Sequence, residues 1–195
     1  MPMKLPVKSP IKSIVALLFF AIPAFAKPLS VILVDKAKHQ LHTAEYDTDK
    51  IEIKKSCHVT LGKKLGDKVV EKDLKTPEGI YFFRAKLFPP GLKKKFGVMA
   101  LMMDYPNTID KKAGKTGYDI MLHATDDPSR LKLDYDSEGC VVISNEDLLE
   151  VSKSIRLGVT PIIVYDEMKP EYLQITENTG VKSAFEKWMK AWEGK

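Results

Sequence analysis

Cysteine is scarce in this 195-residue sequence, which contains only Cys57 and Cys140. A domain of this length can bury enough apolar surface to fold without a disulfide framework, so one bridge would be optional. Ligand spacings typical of zinc or calcium sites are also lacking; His39 and His42, three residues apart in a predicted strand, point to opposite faces. We therefore expect no metal and no cofactor. The two cysteines either form one bridge, or one of them is a working thiol.

A basic stripe with interleaved aromatic residues, the usual signature of nucleic-acid binding, is absent. Of the formal net charge of +5, three units come from Lys4, Lys8 and Lys12, which leaves +2 for the rest of the chain. This balance is ordinary for a globular domain. Nucleic acid is not an expected partner.

The sequence also lacks an apolar run long enough to span a bilayer, which takes about 18 residues. The run from Ile14 to Phe25 is shorter, contains Pro23, follows the three lysines and closes on Ala24-Phe25-Ala26. A basic segment, a short apolar segment and a small-x-small end predict a secretory signal over residues 1–26, removed after Ala26. The alternative is an uncleaved membrane anchor.

Strand patterns dominate the rest of the chain, because short apolar or alternating runs are separated by turns rich in glycine and proline. The predicted strands cover residues 28–34, 40–46, 50–61, 80–85, 118–122, 140–143 and 158–165. Ser144 and Asp147 predict a capping box that opens a helix. The sequence therefore predicts one mainly β domain with a few helices over residues 27–168.

The tail at 169–195 has a different pattern. Phe185, Trp188, Met189 and Trp192 recur at intervals of three and four residues, which predicts an amphipathic helix over 181–192.

Candidate chemistry centres on Cys140 and His123. Ser137-Glu138-Gly139-Cys140 places the thiol in a glycine-containing turn before a predicted strand, and His123 ends the strand that precedes it. Two strand ends joined by a loop can bring a thiol and an imidazole together, as cysteine nucleophiles require. We expect the imidazole to lower the thiol pKa. We also expect Cys57, in an alternating strand, to be a buried thiol rather than a second catalyst, and not to be bonded to Cys140.

The His123 and Ser137-x-Gly139-Cys140 pattern resembles the signature of L,D-transpeptidase catalytic domains. Supporting segments are Val34-Asp35-Lys36 with Gln40-Leu41, Gly66-Asp67-Lys68 followed by Asp73 to Tyr81, and Tyr105-Pro106-Asn107 with Lys115-Thr116-Gly117. The last pair is similar to a subgroup of helical-shape L,D-carboxypeptidases and enzymes that release lipoprotein from murein. The tail resembles the opening helix of an accessory domain in that subgroup. Packing on the catalytic domain is the alternative for this helix.

The resemblance implies a β-sandwich or barrel in the periplasm or cell envelope that acts on peptidoglycan tetrapeptide stems. In this scheme Cys140 attacks the diaminopimelate–D-alanine bond and His123 is the base. The backbone carbonyl of Ser137 orients the histidine, and the amides of Gly139 and Cys140 stabilise the oxyanion. Expected substrate-binding residues are Tyr105, Asn107, Lys115, Thr116 and Gly117, together with Arg130, whose guanidinium can grip a carboxylate.

Three positions depart from the common family pattern: Ala124, Glu138 and Val142. Val142 replaces a polar residue of cross-linking members, which favours hydrolysis or lipoprotein release. The acyl acceptor, either an amine or water, stays open. A catalytically silent wall-binding module is an alternative from another class. A sortase is disfavoured, because the strand at 158–165 lacks the expected arginine.

Overall fold

The structure is a computed structural model that describes residues 29–47 and 50–173. Within these two ranges, ten strands and two short α-helices follow one another. The strands are β1 (Leu29–Asp35), β2 (Gln40–Asp47), β3 (Lys50–His58), β4 (Leu61–Gly62), β5 (Gly79–Leu87), β6 (Ala100–Met103), β7 (Met121–His123), β8 (Tyr135–Ser137), β9 (Val141–Val142) and β10 (Pro161–Tyr165). The helices are α1 (Thr108–Lys112) and α2 (Asn145–Val151). The predicted signal over 1–26 and the predicted helix over 181–192 lie outside the described residues.

Eight strands form one sheet in the order β3-β2-β1-β10-β5-β6-β7-β9. Most neighbours are antiparallel, but β1 pairs with β10, and β7 with β9, in parallel. A second small sheet pairs β4 with β8. Directly after β3, Thr60 exchanges two backbone hydrogen bonds of 2.9 Å with Val142 of β9. The chain that leaves one edge of the sheet therefore reaches the strand at the other edge, and the sheet curls around its core.

The main core lies inside this curl. Ile32, Val34, Phe83, Leu122 and Ile162 are all fully buried there, at alternate positions of their strands. A second apolar cluster lies on the opposite face of β1, around Val31 and Leu33. Strand β1 is therefore covered on both faces, which explains its continuous apolar sequence.

The mainly β prediction is confirmed, while several boundaries differ. The strand predicted over 118–122 begins only at Met121, because Asp119 adopts a left-handed conformation with φ +55°. Ser144 caps α2 by accepting the Asp147 amide, but the Asp147 carboxylate accepts the Ser144 hydroxyl rather than a backbone amide. None of the helices in the described ranges is long and apolar enough to cross a membrane.

Candidate active site

Cys140 and His123 are brought together by the parallel pairing of β7 and β9. The register places Leu122 opposite Val141 and His123 opposite Val142. Since Cys140 is two residues before Val142, its side chain leaves the sheet on the same face as that of His123, one diagonal step away. Both side chains line one cleft. The structure thus joins the two residues that the sequence singled out.

The turn before Cys140 is held by the Ser137 side chain. Its buried hydroxyl donates to the Cys140 carbonyl at 2.6 Å and accepts the Gly139 amide at 3.1 Å. Gly139 has φ +128°, and a Cβ there would lie 2.6 Å from the backbone oxygen of Lys75. Only glycine fits this position without moving the backbone. Ser137 and Gly139 therefore fix where Cys140 sits.

The Ser137 carbonyl was expected to orient His123, but in the structure a different carbonyl contacts the imidazole. His123 Nδ1 lies 2.5 Å from the carbonyl oxygen of Ala124, while the Ser137 carbonyl accepts the Lys63 amide at 2.9 Å. Because a carbonyl oxygen only accepts, Nδ1 carries the proton and Nε2 is the basic nitrogen. The histidine is oriented by its own neighbour. The Gly139 amide, predicted as an oxyanion donor, is already engaged by Ser137.

His123 is 3% exposed, and the ring of Phe96 meets it edge to face, with centroids 4.8 Å apart. Burial lowers the pKa of the imidazole to about 4; the Ala124 carbonyl opposes this shift, and the charges of Arg130 and Lys95 add to it. The histidine is therefore neutral at pH 7.

Burial also raises the pKa of the Cys140 thiol to about 11. A hydrogen bond from the Met121 amide and the charge of Lys95 lower this pKa, whereas Asp119 and Glu138 raise it. The thiol is within hydrogen-bonding distance of the Asp119 carbonyl, with the sulfur 3.5 Å from the oxygen. The expected depression of the thiol pKa by His123 is therefore wrong for the free protein. The resting pair is a neutral thiol beside a neutral imidazole.

Cys57 shares neither the cleft nor this environment. It is half-buried on β3, and burial raises its pKa to about 12. Both cysteines are free, as the sequence predicted.

The cleft has a volume of about 1010 Å³ and a wall rich in basic side chains. Its cationic residues are Lys63, Lys68, Lys72, Lys93, Lys95 and Arg130. Lys68 is neutralised by Asp73 at 2.8 Å and Arg130 by Asp136 at 2.6 Å. Lys72 also pairs with Glu71, at 3.6 Å, and Asp119 and Glu138 line the same cleft, so Lys63, Lys93 and Lys95 share its wall with acidic side chains.

The residues expected to bind substrate fall into two groups, those that line the cleft and those that do not. Gly117 and Arg130 line the cleft. The other four make internal hydrogen bonds away from its lining: the Tyr105 hydroxyl donates to the Thr116 carbonyl at 3.1 Å, Asn107 caps α1, and Lys115 pairs with Asp67 at 2.6 Å. These contacts brace the segment that leads to Gly117. Substrate binding by these residues stays a prediction.

Sequence reasoning missed four residues around the pair: Lys95, Phe96, Asp119 and Met121. Lys95 lies over the Phe96 ring, 5.0 Å from its centroid, and Phe96 packs on His123. Asp119 and Met121 touch the thiol through backbone atoms, which no side-chain motif encodes. Only Lys95 carried a signal, as part of the basic run Lys93–Lys95.

Comparison with known proteins decides the family. The family model of the L,D-transpeptidase catalytic domain (YkuD) matches residues 30–164, more than two thirds of the chain. The chain belongs to the L,D-transpeptidase family. Members of this family act on the stem peptides of peptidoglycan in the cell envelope. The comparison with curated proteins found no matching relative.

Solved structures agree on the fold. Bd1075 from Bdellovibrio bacteriovorus is 32% identical, with a TM-score of 0.68, over 85% of this chain and 59% of that one. The helical cell shape determining protein Pgp2 from Campylobacter jejuni, in a mutant form, is 24% identical, with a TM-score of 0.71, over 85% of this chain and 56% of that one. The chain therefore spans less than two thirds of the length of these family relatives.

Proposed function

We propose that this protein is an exported cysteine acyltransferase that cleaves the diaminopimelate–D-alanine bond of peptidoglycan stems through an acyl-enzyme on Cys140. The observation that carries the proposal is the shared cleft face of Cys140 and His123, set by the register of β7 and β9. Membership of the L,D-transpeptidase family supports the substrate class. Export rests on the signal pattern over residues 1–26.

The neutral pair supports a general-base mechanism. As Cys140 Sγ attacks the carbonyl carbon of the scissile bond, His123 Nε2 takes the thiol proton. The new C–S bond leaves a negative charge on the carbonyl oxygen, and the Cys140 amide is the proposed donor to it. The C–N bond then breaks, and His123 returns the proton to the departing D-alanine amine. This leaves a thioester on the enzyme and a neutral histidine.

Water is the proposed acceptor for the second half-reaction. His123 removes a proton from water as the oxygen attacks the thioester, and the tripeptide leaves as a carboxylic acid while the thiol is restored. Val142, where cross-linking members carry a polar residue, is fully buried and pairs with His123 and Thr60. It offers no polar group to position an incoming amine. Water at ~55 M then competes well with amines that no site concentrates.

The test is incubation with disaccharide tetrapeptide, with products read by mass spectrometry. We expect release of D-alanine and a tripeptide product that outweighs the cross-linked dimer, together with a thioester on the Cys140 peptide in acid-quenched samples. Cys140→Ala should abolish D-alanine release, whereas the matched variant Cys57→Ala should retain it. Release by Cys140→Ala at a comparable rate would refute the nucleophile, and a dominant cross-linked dimer would refute water as the main acceptor. No release by the unmodified protein on tetrapeptide or lipoprotein-bearing murein would favour a silent wall-binding module.

A further inference from the structure

The side chain of Asn145 joins two segments that lie on either side of His123. Asn145 is the first residue of α2, and its Oδ1 accepts the Val98 amide at 2.9 Å. Its Nδ2 donates to the Thr125 carbonyl at 3.0 Å. These partners fix the orientation of the side-chain amide, because a backbone N–H needs an acceptor and a carbonyl needs a donor. One half-buried side chain therefore ties the loop that leads into β6 to the segment that follows β7.

The loop that leads into β6 can approach this amide closely because residue 97 is glycine. Gly97 has φ +68°, and a Cβ there would collide with Asn145 Oδ1. The same Cβ would lie 2.7 Å from the Ala124 Cβ and 2.8 Å from the Thr125 nitrogen. A larger residue would therefore push the loop away from the end of β7.

Each of the two joined segments carries one contact of the His123 ring. The loop carries Phe96, whose ring packs edge to face on the imidazole. The segment after β7 carries Ala124, whose carbonyl orients Nδ1. Asn145 is not among the residues that line the cleft. It therefore acts on the imidazole through these two neighbours.

We propose that Asn145 is a positioning residue for His123, which holds the Phe96 ring and the Ala124 carbonyl in place around the imidazole. Loss of the side-chain amide frees the loop and the segment after β7 to separate. Water then reaches the ring, and Nε2 loses its alignment with the Cys140 thiol. The effect on rate rests on the proposed acyl transfer, whereas the effect on the imidazole does not.

Asn145→Ala tests this role with two independent measurements. The first is D-alanine release from disaccharide tetrapeptide at pH 8. We expect kcat to fall by about 10- to 100-fold and KM to change by less than about threefold, because Asn145 does not line the cleft.

The second measurement is an NMR titration of the His123 ring signals between pH 8 and pH 5, with the signals assigned by comparison with His123→Gln. In the unmodified protein these signals should hardly move, because burial lowers the pKa of the imidazole to about 4. In Asn145→Ala they should titrate within this window, because access of water raises the pKa toward its ordinary value.

Ser144→Ala is the matched control on the same helix. It removes the cap that accepts the Asp147 amide and so weakens the start of α2, but it leaves the Asn145 side chain in place. Both variants should melt at a lower temperature than the unmodified protein, whereas only Asn145→Ala should change kcat and the titration. Equal changes in the two variants, or a lower kcat with an unchanged titration, would overturn the proposal.

Asn145→Asp keeps the proposal testable if Asn145→Ala does not fold. A carboxylate still accepts the Val98 amide and suits the first turn of α2, but it has no donor for the Thr125 carbonyl. Its kcat at pH 8 should fall by at least about tenfold, and full activity in the folded variant would overturn the proposal. If the unmodified protein releases no D-alanine, the proposed function fails, while the titration still decides the role of Asn145.

Discussion

The neutral state of the Cys140–His123 pair gives a sharp prediction for thiol reactivity. Burial raises the pKa of Cys140 to about 11, whereas a preformed thiolate–imidazolium pair would place it well below 7. With a pKa of about 11, the thiolate is only ~10⁻⁴ of the population at pH 7 and grows about tenfold with each pH unit. Alkylation by iodoacetamide follows the thiolate fraction. We therefore expect the rate at Cys140 to rise steadily from pH 6 to pH 10.

The assay is mass spectrometry of the alkylated Cys140 peptide over time, with Cys57 as the internal comparison. Burial raises the pKa of Cys57 to about 12, so its alkylation should be slower at every pH. A rate at Cys140 that is already flat between pH 6 and pH 8 would refute the neutral pair and indicate a preformed thiolate.

The variant His123→Gln distinguishes the effect of the imidazole on the resting thiol from its proposed role as general base. Because the imidazole is uncharged at pH 7, its removal should change alkylation of Cys140 by less than about tenfold. D-alanine release should fall by about 10²- to 10⁴-fold, the usual contribution of a positioned base. Parallel losses in both assays would contradict this division of roles.

Three further predictions concern the surroundings of the pair. Gly139→Ala should lower the free energy of unfolding, measured in urea, by about 2 to 4 kcal/mol. Gly158→Ala, where the added Cβ meets open space at φ +70°, should lower it by about 1 kcal/mol. Equal losses in the two variants would refute the steric argument. His123 has its pKa lowered to about 4 by burial, so the folded protein should lose up to about 3 kcal/mol as pH falls from 6.5 to 4, and His123→Gln should lose less over that window. Lys95→Gln should raise the pKa of Cys140 and slow its alkylation, while Lys94→Gln, outside the cleft lining, should not.

Side-chain patterns predicted most of the strands that form the core, because alternating or continuous apolar runs indicate which faces are buried. They missed β6, whose Leu101 and Met103 are buried in the main core. They also identified Cys140 and His123, since a thiol after a glycine turn and a histidine at a strand end are visible as residue types. The order of the strands was not visible, because hydrogen-bond partners such as β1 and β10 are more than a hundred residues apart.

Contacts made by backbone atoms explain most of what the sequence left hidden. The orienting carbonyl of Ala124, the Asp119 carbonyl and the Met121 amide could have belonged to any residue type. The pKa of the thiol was misjudged for a related reason. A sequence shows that an imidazole is available, but it does not show how far burial raises the pKa of the thiol and lowers the pKa of the imidazole.

Because β7 and β9 pair in parallel, the loop that joins them can change while His123 and Cys140 keep their relative positions. Parallel neighbours cannot be joined by a tight turn, so residues 124–140 must travel across the end of the sheet before the chain returns in register. This loop supplies Arg130, Asp136 and Glu138 to the cleft wall. The Thr60 hydroxyl holds the loop in place by donating to the carbonyls of Arg130 and Leu133. Insertions or exchanges between residues 126 and 134 should therefore remodel this wall of the cleft while the thiol and imidazole keep their spacing. New substrate preferences can arise there without rebuilding the reacting pair.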